Sequence, residues 1–268
     1  MATLAIPYSS APARRSFAAT FSVFVKETKY EFLKLFRTRT FSLATVGFPL
    51  MFYLLFGVTN RGQQMGGQDV AKYMLAGYCC FGMIGAALFG IGVGLSSERA
   101  AGWLELKRAS PMPPMAYLIA KCITAQAFGV IILAVLATVG VLFGGVHLQP
   151  IEVVKMLGMA FAGMIPFAAL GLLIALTVPA TAAAGVVNLL YLPMSFLSGL
   201  WIPLKMLPHW LQGLAPLLPT YHLSQLMLAI FGYQNKSSVM SHWLGLVGFT
   251  LLTLGASWVV FQRAEQDA

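Results

Sequence analysis

The stretch SSERAAGWLELKRASPMPP, residues 96–114, gathers Glu98, Arg99, Glu105, Lys107 and Arg108 in a 268-residue chain with only 17 basic and 8 acidic side chains. Mixed charges three and four residues apart suit polar docking. A short helix over 96–110 puts Arg99 and Trp103 on one face and lines up Glu98, Gly102 and Glu105. SPMPP then stops it, because proline cannot continue a helix interior. Trp103, Leu104 and Leu106 lie among the charges, and leaving them bare in water is costly. They are expected to dock on lipid headgroups or on a partner protein. The plainer alternative is a solvated loop whose charges only fix topology.

The other chemistry-bearing residues are scattered. A metal site needs three or four converging ligands. His147, His209, His222 and His242 do not supply them, since His209 and His222 flank a proline-rich segment without carboxylate neighbours. Polar contacts are expected there instead. Cys79, Cys80 and Cys122 fall in apolar runs and form no disulfide or metal spacing, so they read as packing. Asn188, Tyr191, Ser195 and Ser198 recur at three- and four-residue steps and are expected to share a helix face. Two readings stay open for them: hydrogen bonding between helices at a subunit interface, or a weakly polar lining of a pathway. Tyr53, Tyr78 and Gln126 are further polar groups within apolar runs.

The elements that must position these residues are membrane helices. The chain is 59% hydrophobic and 9% charged, against about 25% charged in a soluble domain. That predicts an all-α integral membrane protein. The net charge of +9 lies at the ends of apolar runs, where it signals topology rather than nucleic-acid binding. A crossing takes about 20 apolar residues. Six spans are predicted near 41–59, 73–95, 115–143, 153–177, 182–201 and 239–261, with TVPAT at 177–181 separating the fourth from the fifth. Residues 204–235 contain Pro208, Pro216 and Pro219. They read as a re-entrant pair of short helices, because irregular backbone at membrane depth must be buried or line a cavity. Trp201, Trp210, Tyr221, Tyr233 and Trp243 suit an outer aromatic belt.

With six spans and an inner N-terminus, twelve Lys and Arg fall inside and five outside, which predicts both termini in the cytoplasm. Residues 1–20 are expected to be a flexible tail without a cleavable signal. Residues 21–39, FSVFVKETKYEFLKLFRTR, repeat Phe21, Phe24, Val25, Phe32, Leu35 and Phe36 at helical spacing. They predict an amphipathic helix in the inner headgroup layer, or else one packed on the protein's own body.

This order resembles the membrane subunit of an ABC-2 type transporter, the family of daunorubicin-resistance-type and nodulation-factor exporters. An interfacial helix and two spans lead to "ER-x-x-G-x-L-E-L" with its proline ending. Four more spans follow, with "SG-x-x-x-P" and a later "P-x-x-P" before the last. The resemblance covers nearly the whole chain from Phe21, placing a transmembrane domain over 21–268. It implies that the 96–110 helix inserts into a cleft on an ATP-binding subunit, present in two copies. Glu98, Arg99, Glu105, Lys107 and Arg108 would be the polar contacts, Trp103 the apolar anchor, and Gly102 a point of close approach. Phe32, Lys34, Phe36 and Arg37 would form a second contact with that ATPase. The sequence has no G-x-x-x-x-G-K-[ST] loop. ATP and Mg are therefore expected on the partner, and no cofactor in this chain. A homodimer in the bacterial inner membrane, in contact with its lipids, is further implied.

The expected function is export of a hydrophobic or amphipathic, drug-like cargo, with lipid or lipid-linked glycan as the alternative. An intramembrane enzyme would need ionisable groups at membrane depth, and these are scarce. A non-transporting anchor for an ATPase is a third reading.

Overall fold

A computed structural model describes residues 17–65, 67–103, 106, 113–233 and 238–266. Among these the regular structure is helical except for one antiparallel hairpin, Gln64–Met65 with Gln68–Asp69. Six helical stretches are long and apolar enough to cross a membrane: Arg39–Val58, Val70–Ala100, Ala116–Leu142, Pro150–Thr177, Ala180–Leu197 and Val239–Arg263. They coincide with the six predicted spans to within a few residues, except that the second runs on to Ala100.

Helix α1 (Phe17–Arg37) lies along α5 (Pro114–Leu142). Phe32 and Leu35 enter the core, and the Phe32 ring sits 5.6 Å from that of Phe128. Phe21, Val25, Tyr30 and Phe36 stay exposed on other faces. The helix thus packs on the body along one face and presents apolar residues outward on others. Of the expected tail over 1–20, residues 1–16 lie outside the described residues, and the helix begins at Phe17. Thr38 separates α1 from α2 (Arg39–Phe52), its hydroxyl donating to the Lys34 carbonyl at 2.8 Å. The first span then widens into a π turn at Tyr53–Val58.

The second span is the hub. It comprises α3 (Val70–Ala87), a π turn at Leu88–Val93 and α4 (Gly94–Ala100). Its sequence is apolar on every side, the pattern of a helix enclosed by others. Small residues let neighbours approach closely. At Gly77 a Cβ would overlap the Leu200 carbonyl oxygen. Around the hub pack α2, α5, α7 (Ile165–Thr177), α8 (Ala180–Leu197) and α10 (Pro219–Ile230). The fourth span joins α6 (Pro150–Ala162) to α7 through a break at Gly163–Met164, where a single helix over 153–177 was expected. Val178 and Pro179 make the predicted turn into α8.

The segment before the last span forms a pair of short helices, α9 (His209–Leu214) and α10, with Pro208, Pro216 and Pro219 at helix starts. Nine residues of α10 are buried. The final helix, α11 (Val239–Gln266), packs against α7 and α10.

The expected helix over 96–110 is not one helix. Residues up to Ala100 continue the second span, and the chain turns at Ala101–Gly102, with Gly102 at φ +72. Only glycine adopts that conformation without strain. The face drawn through Arg99 and Trp103 is therefore interrupted by this turn. The reason is local: a left-handed residue ends the helix, as at many helix C-termini.

Candidate coupling site

Four charges meet where α1, α4 and α5 converge. Lys121 of α5 donates to Glu31 of α1 at 2.5 Å and to Glu98 of α4 at 3.1 Å. Lys34 of α1 also pairs with Glu98, and its ammonium lies 3.9 Å from the second oxygen of Glu31. Glu98 is 8% exposed and Lys121 3%, and Glu31 is buried as well. A buried charge is tolerated only when paired and hydrogen-bonded. Two carboxylates and two ammonium groups make this cluster neutral. The ring of Tyr117, centred 5.0 Å from the Lys121 ammonium, adds a cation–π contact.

One residue on, Arg99 turns the other way. It donates to the backbone carbonyls of Leu176 at 2.6 Å and Val178 at 3.2 Å. These lie at the end of α7, where helix carbonyls lack intrahelical partners and the helix dipole favours a cation. Glu98 and Arg99 thus clasp the end of the second span to α1 and α5 on one side and to the fourth span on the other.

Past this clasp two described apolar side chains are exposed. Trp103 is 56% exposed and Leu106 69%. The Leu106 amide donates to the Gly102 carbonyl at 3.3 Å, so a new turn starts at the glycine. Among the described residues nothing lies within 4 Å of where a Cβ on Gly102 would sit. Within this chain its role is the turn. Glu105, Lys107 and Arg108 lie outside the described residues. Of the second expected contact set, Phe36 and Arg37 are exposed, Lys34 belongs to the charge cluster and Phe32 packs against Phe128.

Neither Glu31 nor Lys121 was singled out in the sequence. The available signal was Lys121 itself, set in the apolar run AYLIAKCITAQ. A lone lysine there needs a buried partner.

The fifth-span set divides. Tyr191 donates to the Phe81 carbonyl at 2.6 Å, Ser195 to the Tyr191 carbonyl at 2.7 Å, and Ser198 shares a hydrogen bond with Thr220. All three are buried, and Tyr191 and Ser198 bond to other helices of the same chain. Asn188 alone is exposed. The hydroxyls are held inside because each finds a carbonyl or hydroxyl acceptor there.

Of the histidines, His222 of α10 and His242 of α11 meet through their Nδ1 atoms at 3.0 Å, with the Tyr221 ring 5.6 Å from each. Among the described residues no three His, Cys, Asp or Glu side chains gather as metal ligands.

A profile of the family described as ABC-2 type transporter matches residues 23–232. The chain is also similar to a Bacillus subtilis (strain 168) protein described as "Putative transport permease YvfS". The two are 29% identical over 202 residues, which is 75% of this chain and 82% of that protein.

Proposed function

This chain belongs to the ABC-2 type transporter family, a family of multi-pass membrane transport permeases, and from that premise we propose that it is the permease half of an ATP-driven exporter. A separate ATP-binding subunit, in two copies, would grip the segment after Gly102, with Trp103 as apolar anchor and Glu105, Lys107 and Arg108 as polar contacts. The second contact would come from Phe36 and Arg37 of α1. A second copy of the chain would complete the pathway, in the bacterial inner membrane with both termini in the cytoplasm. ATP and Mg would be held by the partner.

The observation that carries this reading is the clasp beneath the exposed turn. A push on Trp103 is transmitted at once to the second span through Gly102. It passes to α1 and the third span through Glu98, and to the fourth span through Arg99. A surface loop that only anchored topology would need no such connections. Motion between two packed arrangements is how a local force becomes a rigid-body shift. Glu98 and Arg99, expected as docking contacts, serve here as the root of the lever. The cargo would be hydrophobic or amphipathic, since the spans carry no ring of charge such as ion selectivity needs.

The test is reconstitution of the chain with its ATP-binding partner in proteoliposomes. Trp103→Ala with Leu106→Ala is expected to leave the permease folded and to lower cargo-stimulated ATP turnover at least tenfold. Undiminished turnover would remove the exposed turn from the coupling role.

A further inference from the structure

At the end of the second span opposite Glu98, a cavity of about 230 Å³ opens between the start of α3, the turn at Leu204–Met206 and α10. It plays no part in the coupling site. Its walls include Met65, Met74, Met206 and Leu228, and Gln225, 3% exposed, is the buried polar residue among them. Lys205 is the one charged residue of the lining. It is exposed, and among the described residues no carboxylate pairs with it.

We propose that this cavity binds one end of a small amphipathic anion, its apolar part among the methionines and its anionic group against Lys205. Three observations lead there. The first is size: drug-sized ligands occupy about 300–1,000 Å³, so this cavity takes a short chain or a single ring and leaves the rest of a larger molecule outside. The second is the wall material, since methionine is unbranched and polarizable and adapts to varied apolar shapes. The third is charge: a lysine at the rim of an apolar pocket, with no carboxylate in ion-pair contact among the described residues, favours an anion and repels a cation. The site does not depend on the coupling mechanism, so its test does not depend on the motor.

The experiment uses the full chain in phosphatidylcholine nanodiscs and three octyl probes with a diazirine at the chain end: a carboxylate, an ammonium and an alcohol. After illumination, labelled peptides are mapped by mass spectrometry. The carboxylate is expected to label peptides containing Met65, Met74 and Met206 at least fivefold more than the ammonium does. Lys205→Glu should reverse that order, and because Lys205 is exposed this change does not threaten the fold. Met74→Trp, checked for folding by size-exclusion chromatography, should fill the cavity and lower labelling by all three probes. Loss of carboxylate labelling when phosphatidylglycerol is added assigns the anion to a lipid headgroup. Loss only with excess free octanoate assigns it to a soluble amphiphile, and either supports the shared chemistry. Equal labelling by the three probes, or labelling confined to the outward faces of the first and last spans, overturns the proposal.

Discussion

Arg99 closes the end of a helix that is not its own: its guanidinium donates to the carbonyls of Leu176 and Val178, at 2.6 and 3.2 Å, across the gap between the second and fourth spans. The fourth span ends just before Pro179, which has no amide to extend it. Arg99 therefore supplies what the sequence of α7 cannot, donors for carbonyls left over at the terminus.

Arg99→Ala removes both bonds. A hydrogen bond to a charged group contributes about 1.5–3 kcal/mol net when buried, and Arg99 is exposed, so a total loss of about 1–2 kcal/mol is expected. Thermal unfolding in detergent should show a lower midpoint. Arg99→Lys, a point charge without the planar fork, should recover part of it. Equal midpoints for the three proteins would mean the contact contributes nothing to stability.

Lys121→Met should be far more damaging. It leaves Glu31 and Glu98 buried together with only the partly exposed Lys34 to neutralise them. Removing one partner of a buried ion pair costs about 3–5 kcal/mol. The triple change Glu31→Gln, Glu98→Gln and Lys121→Met should regain much of that stability by removing the stranded charges. Regained stability without regained ATP coupling would separate a structural cluster from one that transmits motion.

Gly77→Ala tests how closely the hub is packed. The added methyl would meet the Leu200 backbone oxygen, which cannot rotate away as a side chain can. Overpacking of this kind typically costs about 1–3 kcal/mol. Gly158→Ala, on α6 with nothing within 4 Å of the new Cβ, is the control and should leave the unfolding midpoint unchanged or slightly raised, as alanine favours helix.

The spans were legible because the bilayer imposes one rule on every residue: about 20 apolar positions in a row. The turn at Pro179 was legible for the same kind of reason, since proline acts through its own backbone. The clasp was not. Glu31, Glu98 and Lys121 come from three helices separated by up to 90 residues, and sequence spacing has no access to contacts of that range. Helical spacing in Asn188, Tyr191, Ser195 and Ser198 was real, but which way each points depends on what packs against α8. The acceptors, the Phe81 carbonyl and Thr220, belong to other elements. Gly102 was visible as a residue, and its left-handed φ was not, because glycine permits that conformation without requiring it.

The His222–His242 contact ties the short helix α10 to the last span, and it should make the fold sensitive to acid. With Nδ1 atoms 3.0 Å apart, one ring must donate and the other accept. Two charged rings would set N–H against N–H. Burial makes His222 harder to protonate than an ordinary histidine, and its hydrogen bond to the Pro216 backbone offsets this only in part. The sign follows. A histidine whose folded pKa lies below its unfolded value of about 6.5 contributes stability that is complete above that pH. The contribution is lost as pH falls through the window between the two values. One such proton changes stability by at most about 1.4 kcal/mol per pH unit. Unfolding midpoints measured from pH 8 to pH 5 should fall in the acid half of the range for the native chain and fall less for His222→Gln, which can still hydrogen-bond but does not titrate. Parallel curves for the two proteins would show that acid acts elsewhere.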